Sequence, residues 1–317
     1  MVFTKLVIAG STGYVADHAI RAILASTKPK FDVTILTRAD GGKAVASIPG
    51  ARIIPVDYND HNGLVKSITG ADAILSFVSG PPSKAIDRLL LKAAQEAGVR
   101  RIFPSEYTLD VLHPAAVSLL TEGGSWPEDT SAVLTARKFV SLAEEGGPTS
   151  FTTLIPSAFI DSWLEGDFGS FNPKNRKVTV LDSGDHYFSG CSLPFIGAAI
   201  VAVLQMDEEK TKNRRIPITE VRATMNQIVD IYEELLGAKF QRDQITSQDL
   251  LNQRNADLAA GNSFAALFNS IIVGAFNGCG AGDLVDGLDF DGDGLLTIKR
   301  KTLKELTTEA LKRIGTI

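Results

Sequence analysis

The chain has 317 residues, enough for one large domain or two packed ones, with 32 lysines and arginines, 37 aspartates and glutamates and a formal net charge of −5. Charges of both signs are interspersed, which excludes an extended basic nucleic-acid face or a polybasic membrane segment. Two distant cysteines, Cys191 and Cys279, lack metal-ligand spacing, and no leader-like or membrane-spanning run stands out, so the expectation is a cytoplasmic protein, monomeric or homodimeric, that acts on a small molecule with its thiols free.

The first half alternates β-rich runs with helical patterns. Lys5–Ala9 is nearly all apolar, as a strand buried on both faces should be. Val15–Ala25 follows with helical periodicity. Asp32–Thr37 and Arg52–Val56 read as strands two and three, and a helix around Gly63–Ile68 leads to a fourth strand at Ala73–Val78. Lys84–Ala97 is an amphipathic helix stopped by Gly98, and Arg101–Phe103 opens a fifth strand that ends at Pro104. This alternation predicts an α/β fold with a Rossmann-type, doubly wound parallel sheet.

The rhythm then changes. Residues 109–130, with Gly123, Gly124 and Pro127, read as an irregular loop over a site. A helix at Ser131–Glu145 and a sixth strand at Phe151–Ile155 follow, then an irregular, aromatic-rich stretch over 157–175. Further on come an apolar helix at Pro194–Met206, a short strand at Ile216–Ile218, a helix at Met225–Leu236 closed by Gly237, and a last helix at Leu303–Ile314. The expected organisation is a dinucleotide-binding domain over 1–155, with 176–218 partly returning to it, and a smaller interleaved α/β substrate-binding part over 156–317.

Directly after the first strand comes Gly10-Ser11-Thr12-Gly13-Tyr14-Val15-Ala16. Gly10 makes the tight turn, Gly13 lets backbone approach a pyrophosphate, and the helix that follows presents free N–H groups and its positive end. Strand two ends in Arg38, where an acid would grip a ribose 2′-hydroxyl. Arginine suits a 2′-phosphate instead, and Lys43 can add a second charge, so the cofactor expected is NADPH.

Three segments carry a family resemblance. Ile8 to Tyr14, the run Ala97-Gly98-Val99-Arg100-Arg101-Ile102-Phe103-Pro104-Ser105-Glu106-Tyr107, and Phe151-Thr152 followed by Pro156-Ser157-Ala158-Phe159 resemble the NmrA-like and isoflavone-reductase-like group of atypical short-chain dehydrogenases. Asn226–Phe240 is similar to a helix that helps cover the substrate in that group. The resemblance implies an NADPH-dependent reductase of a small aromatic or polyketide-like metabolite, or a relative that senses NADP(H) without catalysis. On that view Phe77, Val78, Pro104, Ser105 and Pro156–Phe159 join the cofactor site, while Glu106, His113, Trp163 and Phe168 border the substrate.

The family's catalytic members carry a lysine on the helix after the strand-five loop. Here that helix reads Val133-Leu134-Thr135-Ala136-Arg137-Lys138-Phe139-Val140, and the family position falls on either Thr135 or Lys138. The two are three residues apart and share one side of the helix. Lys138, or a water held by Thr135 or by Tyr107, is the proton-handling candidate. The Tyr-x-x-x-Lys pair of ordinary short-chain dehydrogenases is absent.

Asp289 to Leu296 imitates half of an EF-hand loop, but Arg300 stands where a bidentate glutamate is required, so it reads as an acidic turn and no metal is expected. The four histidines form no catalytic or metal set by spacing.

Overall fold

In the computed structural model, the described residues are 3–39, 47–80, 83–128, 131–145, 147–285 and 298–317. The chain forms two compact units. The first comprises Met1–Tyr107, Pro127–Leu154 and Ile196–Ile216; the second comprises Thr108–Trp126, Ile155–Phe195 and Pro217–Ile317.

The first unit is built on a seven-stranded sheet. Its strands are β1 (Lys5–Ala9), β2 (Asp32–Arg38), β3 (Ala51–Val56), β4 (Ala73–Ser76), β5 (Arg101–Phe103), β6 (Ser150–Ile155) and β11 (Arg214–Pro217), in the order β11-β6-β5-β4-β1-β2-β3. The pairings β1–β2, β1–β4, β2–β3, β4–β5 and β5–β6 are parallel. Order reverses beside β1, where β2 and β4 leave on opposite sides. That is the switch point at which open α/β sheets bind ligands beyond their carboxyl ends.

Helices α1 (Tyr14–Ala25), α2 (His61–Ile68), α3 (Ser83–Ala97) and α5 (Ala132–Glu144) connect these strands. Their apolar faces pay for the crossovers: Val7, Ala9, Leu36, Ile74, Ile102 and Phe151 of the sheet meet Leu64, Ile68, Leu90, Leu91 and Phe139 in one core. Gly98, at φ +70°, ends α3 in the left-handed cap expected of it. The long helix α7 (Leu193–Gln205) approaches α1 through Gly197, where a Cβ would stand 2.8 Å from the His18 carbonyl oxygen.

In this unit Arg101 is 1 % exposed and, among the described residues, is held by hydroxyls and a carbonyl. Its guanidinium donates to the hydroxyls of Ser150 (2.7 Å), Thr152 (2.6 Å) and Thr211 (2.8 Å) and to the Glu208 carbonyl (2.8 Å). It thereby ties β5 to β6 and to the short helix α8 (Glu208–Thr211). Burial lowers its pKa to about 10, still leaving it charged at neutral pH.

The second unit has two three-stranded sheets. One runs β12-β10-β7 (Val221–Ala223, Phe188–Cys191, Ala158–Phe159), the other β13-β9-β8 (Gln241–Ile245, Lys177–Leu181, Phe171–Asn172). Around them lie α4 (Pro114–Thr121), α6 (Ile160–Glu165), α9 (Met225–Leu236), α10 (Ser247–Ala259), α11 (Ser263–Phe276) and α12 (Leu303–Arg313). The stretches expected to be irregular contain regular elements: 109–130 holds α4, begun by Pro114 at its first turn, and 157–175 holds β7, α6 and β8. The fourth strand ends at Ser76, two residues before the expected end. The acidic turn at 289–296 lies outside the described residues.

Candidate dinucleotide site in the first unit

The turn after β1 has two independent reasons to be glycine at position 10. Its φ is +85°, a left-handed conformation, and a Cβ there would sit 2.9 Å from the Phe77 and Val78 backbone. Gly13 is the N-cap of α1 and makes no side-chain cap bond, so the first N–H groups of the helix remain available to an anion. Ala16 is wholly buried, allowing the helix to lie close to the sheet.

From this turn a groove of about 960 Å³ opens along the carboxyl ends of β1, β2, β3 and β4. Gly10, Ser11, Thr12 and Gly13 line one part, and Phe77, Val78 and Ser79 the part after β4. Thr37, Arg38 and Ala39 continue the wall at the end of β2. The structure thus brings together the sequence-derived positions Gly10–Gly13, Arg38, Phe77 and Val78. Tyr14 is exposed at the start of α1, while Val15 is buried in helix–sheet packing and does not line the groove. Lys43 lies outside the described residues.

Sequence reasoning missed the wall after β3. Asp57, Tyr58 and Asn59 line the groove beside Arg38, and Ala85, Ile86 and Leu89 of α3 add an apolar side. The Asp57 carboxylate caps its own turn by accepting from the Asn59 N–H at 2.9 Å. Burial, with the charge of Asp87, pushes the Tyr58 phenol up to about 12, and the charge of Arg38 works against that rise. The available signal was the turn-forming Asp57-Tyr58-Asn59-Asp60 run directly after a strand. These residues fit a dinucleotide: a tight backbone cradle, a helix end for its pyrophosphate and a guanidinium where a 2′-phosphate would stand.

After β5, Ser105 is fully engaged. Its N–H donates to Asp87 Oδ2 at 2.9 Å and its hydroxyl to the Val78 carbonyl at 2.9 Å, while Lys84 donates to its carbonyl at 2.6 Å. Pro104 is buried beside it. Glu106 is 2 % exposed and pairs with Arg215 of β11 at 2.5 Å, so its carboxylate sits inside the unit. The Tyr107 ring packs against Phe77 with centroids 5.5 Å apart, and burial with the charge of Asp87 holds its phenol protonated, with its pKa raised. On α5, Thr135 faces inward and accepts from Arg88 of α3 at 3.1 Å, whereas Lys138 is exposed.

In the second unit, Ser157 adopts φ +56°, uncommon for a residue with a side chain. Its N–H donates to the Thr108 carbonyl at 3.1 Å and its hydroxyl to the Gly282 carbonyl at 2.9 Å. Pro156 and Ala158 flank it, buried, and Phe159 is half-buried. His113 caps α4, its Nδ1 accepting from the Ala115 N–H at 3.3 Å. Trp163 is 5 % exposed and packs edge-on against Phe276 at 4.7 Å, so it belongs to the unit's core. Phe168, partly buried, lies between Trp163 and Phe268 at 5.1 and 5.8 Å.

Among the described residues no group of three or more His, Cys, Asp or Glu side chains is placed to hold a metal, and no helix is long and apolar enough to cross a membrane.

Residues 4–119 match the model of the NmrA-like family. A bifunctional pinoresinol-lariciresinol reductase of Sinopodophyllum hexandrum is 26 % identical over 268 residues, spanning 79 % of this chain and 82 % of its own length. The oxidoreductase aprR of Aspergillus flavus is 24 % identical, over 97 % of this chain and 99 % of its own. Among solved structures, the binary complex of leucoanthocyanidin reductase with NADPH from Vitis vinifera shares the fold, with TM-score 0.73, 21 % identity, and coverage of 97 % and 99 % of the two chains.

Proposed function

We propose, from the match of residues 4–119 to the NmrA-like family model, that this chain is an NADPH-dependent reductase of a small aromatic or polyketide-like metabolite. The observation that carries this reading is the groove of the first unit, where the Gly10–Gly13 turn, the open end of α1 and Arg38 are arranged for a phosphorylated dinucleotide. The names of relatives that span most of this chain, reductases and an oxidoreductase, support it.

Gly10 to Gly13 would hold the pyrophosphate through backbone N–H groups, and Arg38 the 2′-phosphate. NADPH, when bound, supplies a hydride for an electrophilic carbon of an enone, carbonyl or benzylic centre. Phe77 and Tyr107 shield the groove from water beyond β4. The second unit is the substrate-binding part, and Ser157, held by its two carbonyl partners, fixes the backbone of Pro156–Phe159 there.

The exposure of Lys138 favours a second reading, an NADP(H)-sensing protein without turnover, because a solvent-facing lysine on α5 is poorly placed to hand over a proton. Consumption of NADPH by the purified protein against a panel of aromatic enones, ketones and benzylic ethers separates the two. Substrate-dependent oxidation of NADPH supports the reductase; tight NADPH binding with no turnover across the panel supports the sensor.

A further inference from the structure

Behind the groove, the first unit carries buried polar side chains that the cofactor does not explain. Ser76 is the last residue of β4 and Thr153 lies on β6; by strand alternation they share the sheet face of Ile74 and Phe151, which α3 and α5 cover. Asp87, on the first turns of α3, is wholly buried on that same side. Glu106 follows β5. In each of the four residues one side-chain oxygen is buried without a partner among the described residues: Ser76 Oγ, Asp87 Oδ1, Glu106 Oε1 and Thr153 Oγ1. The Ser76 hydroxyl lies near enough to Asp87 to favour its charged form, although the two do not meet the geometry of an ordinary hydrogen bond.

Such a concentration is not what packing produces. Buried hydroxyl and carboxyl oxygens are almost always hydrogen-bonded, and where protein does not do so, ordered water does. The charged surroundings point the same way. Asp87 faces Lys84 on its own helix, Glu106 after β5, and the phenols of Tyr58 and Tyr107; Glu106 in turn faces Arg215 of β11. Burial holds the Asp87 carboxyl above the ordinary carboxylate range, and the nearby charge of Glu106 adds to that rise.

We propose that the buried Asp87 carboxyl, with water trapped between it and the ion-paired Glu106, stores the proton that a reduction in the adjoining groove consumes. The proposal rests on the reductase reading for its purpose, though not for its geometry. Tyr107 links Asp87 to the groove, since it feels the charge of Asp87 and packs, tilted, against the groove-lining Phe77. Per turnover one proton leaves Asp87 and one returns from solvent, while both electrons travel with the hydride from NADPH. Burial, with Glu106 nearby, raises the Asp87 carboxyl to about 6, where it exchanges its proton at physiological pH.

The test needs no substrate. Infrared spectra of the NADPH-free protein, recorded from pH 4 to 8, would follow the carbonyl stretch of a protonated buried carboxyl. In the difference spectrum of wild type minus Asp87→Asn, which cancels the other buried carboxyls, this band is expected to be lost with a midpoint near 6, and Glu106→Gln is expected to lower that midpoint by removing the like charge. Ser76→Ala, a milder change, is expected to shift the band's frequency by altering the bridging water. Absence of the band from that difference spectrum at pH 5 would overturn the proposal. Binding of NADPH to the wild type, measured alongside, reports separately on the reductase reading: a titrating Asp87 without NADPH binding would sink that reading and leave the buried carboxyl standing.

Discussion

At the scale of single residues, the cofactor groove rests on positions whose chemistry admits few substitutes. Gly10→Ala must adopt φ +85° with a Cβ 2.9 Å from the Phe77 and Val78 backbone. The left-handed penalty alone is about 1–2 kcal/mol, and the clash adds to it; thermal unfolding should show a lowered midpoint, and NADPH binding should be lost. Gly10 and Arg38 were legible in the sequence because a strand, a glycine turn and a helix start fix where each must stand. Asp87 was not legible: a lone acid within an amphipathic helix looks like a solvated residue, and only the fold shows that it points inward. Its raised pKa makes a signed expectation. The unfolded carboxyl ionises near 4 and the folded one near 6, so this group's stabilising contribution is full below pH 4 and is lost as pH rises through 6. Asp87→Asn removes that loss. Its stability relative to wild type should improve between pH 4 and pH 7 by roughly 3 kcal/mol, read from urea unfolding at each pH.

At the scale of elements, caps and buried donors decide what holds. Helix α9 starts with a full capping box, Thr224 accepting from the Gln227 N–H at 3.1 Å while Gln227 accepts from the Thr224 N–H at 3.0 Å. Thr224→Ala should cost about 1 kcal/mol, measured by denaturant unfolding. In the first unit, Arg101→Lys keeps the charge but loses the planar fork that reaches Ser150, Thr152, Thr211 and Glu208 together; destabilisation of about 2–3 kcal/mol is expected. Helices α9 and α3 were readable because apolar periodicity and a following glycine coincide. Helix α4 was not, since it spans Pro114–Thr121 amid glycines and proline, and α10 hides because its exposed polar residues outnumber its buried Arg254 and Leu258. On α5 the sequence left Thr135 and Lys138 open as alternatives; the helix turns Thr135 inward to Arg88 and Lys138 outward.

At the scale of the whole molecule, the parallel sheet was foreseeable because continuous apolar strands separated by amphipathic helices have few other ways to bury themselves. The second unit was harder to read. Its strands β7, β8 and β12 are two or three residues long, and its aromatics, expected as a substrate wall, include Trp163 and Phe171 in the core. Short strands carry too little periodicity to register, and a buried aromatic has the same sequence signature as one that lines a site. The central claim, that the first unit binds NADPH through its glycine turn and Arg38, is tested most directly by titrating the protein with NADPH and NADH, each with wild type and Arg38→Ala, following nicotinamide fluorescence. Loss of a charge-assisted contact is worth about 1.5–3 kcal/mol, so NADPH should bind roughly 10- to 100-fold more weakly to Arg38→Ala while its affinity for NADH barely changes. Equal affinity of the wild type for both nucleotides, or binding of neither, would contradict it.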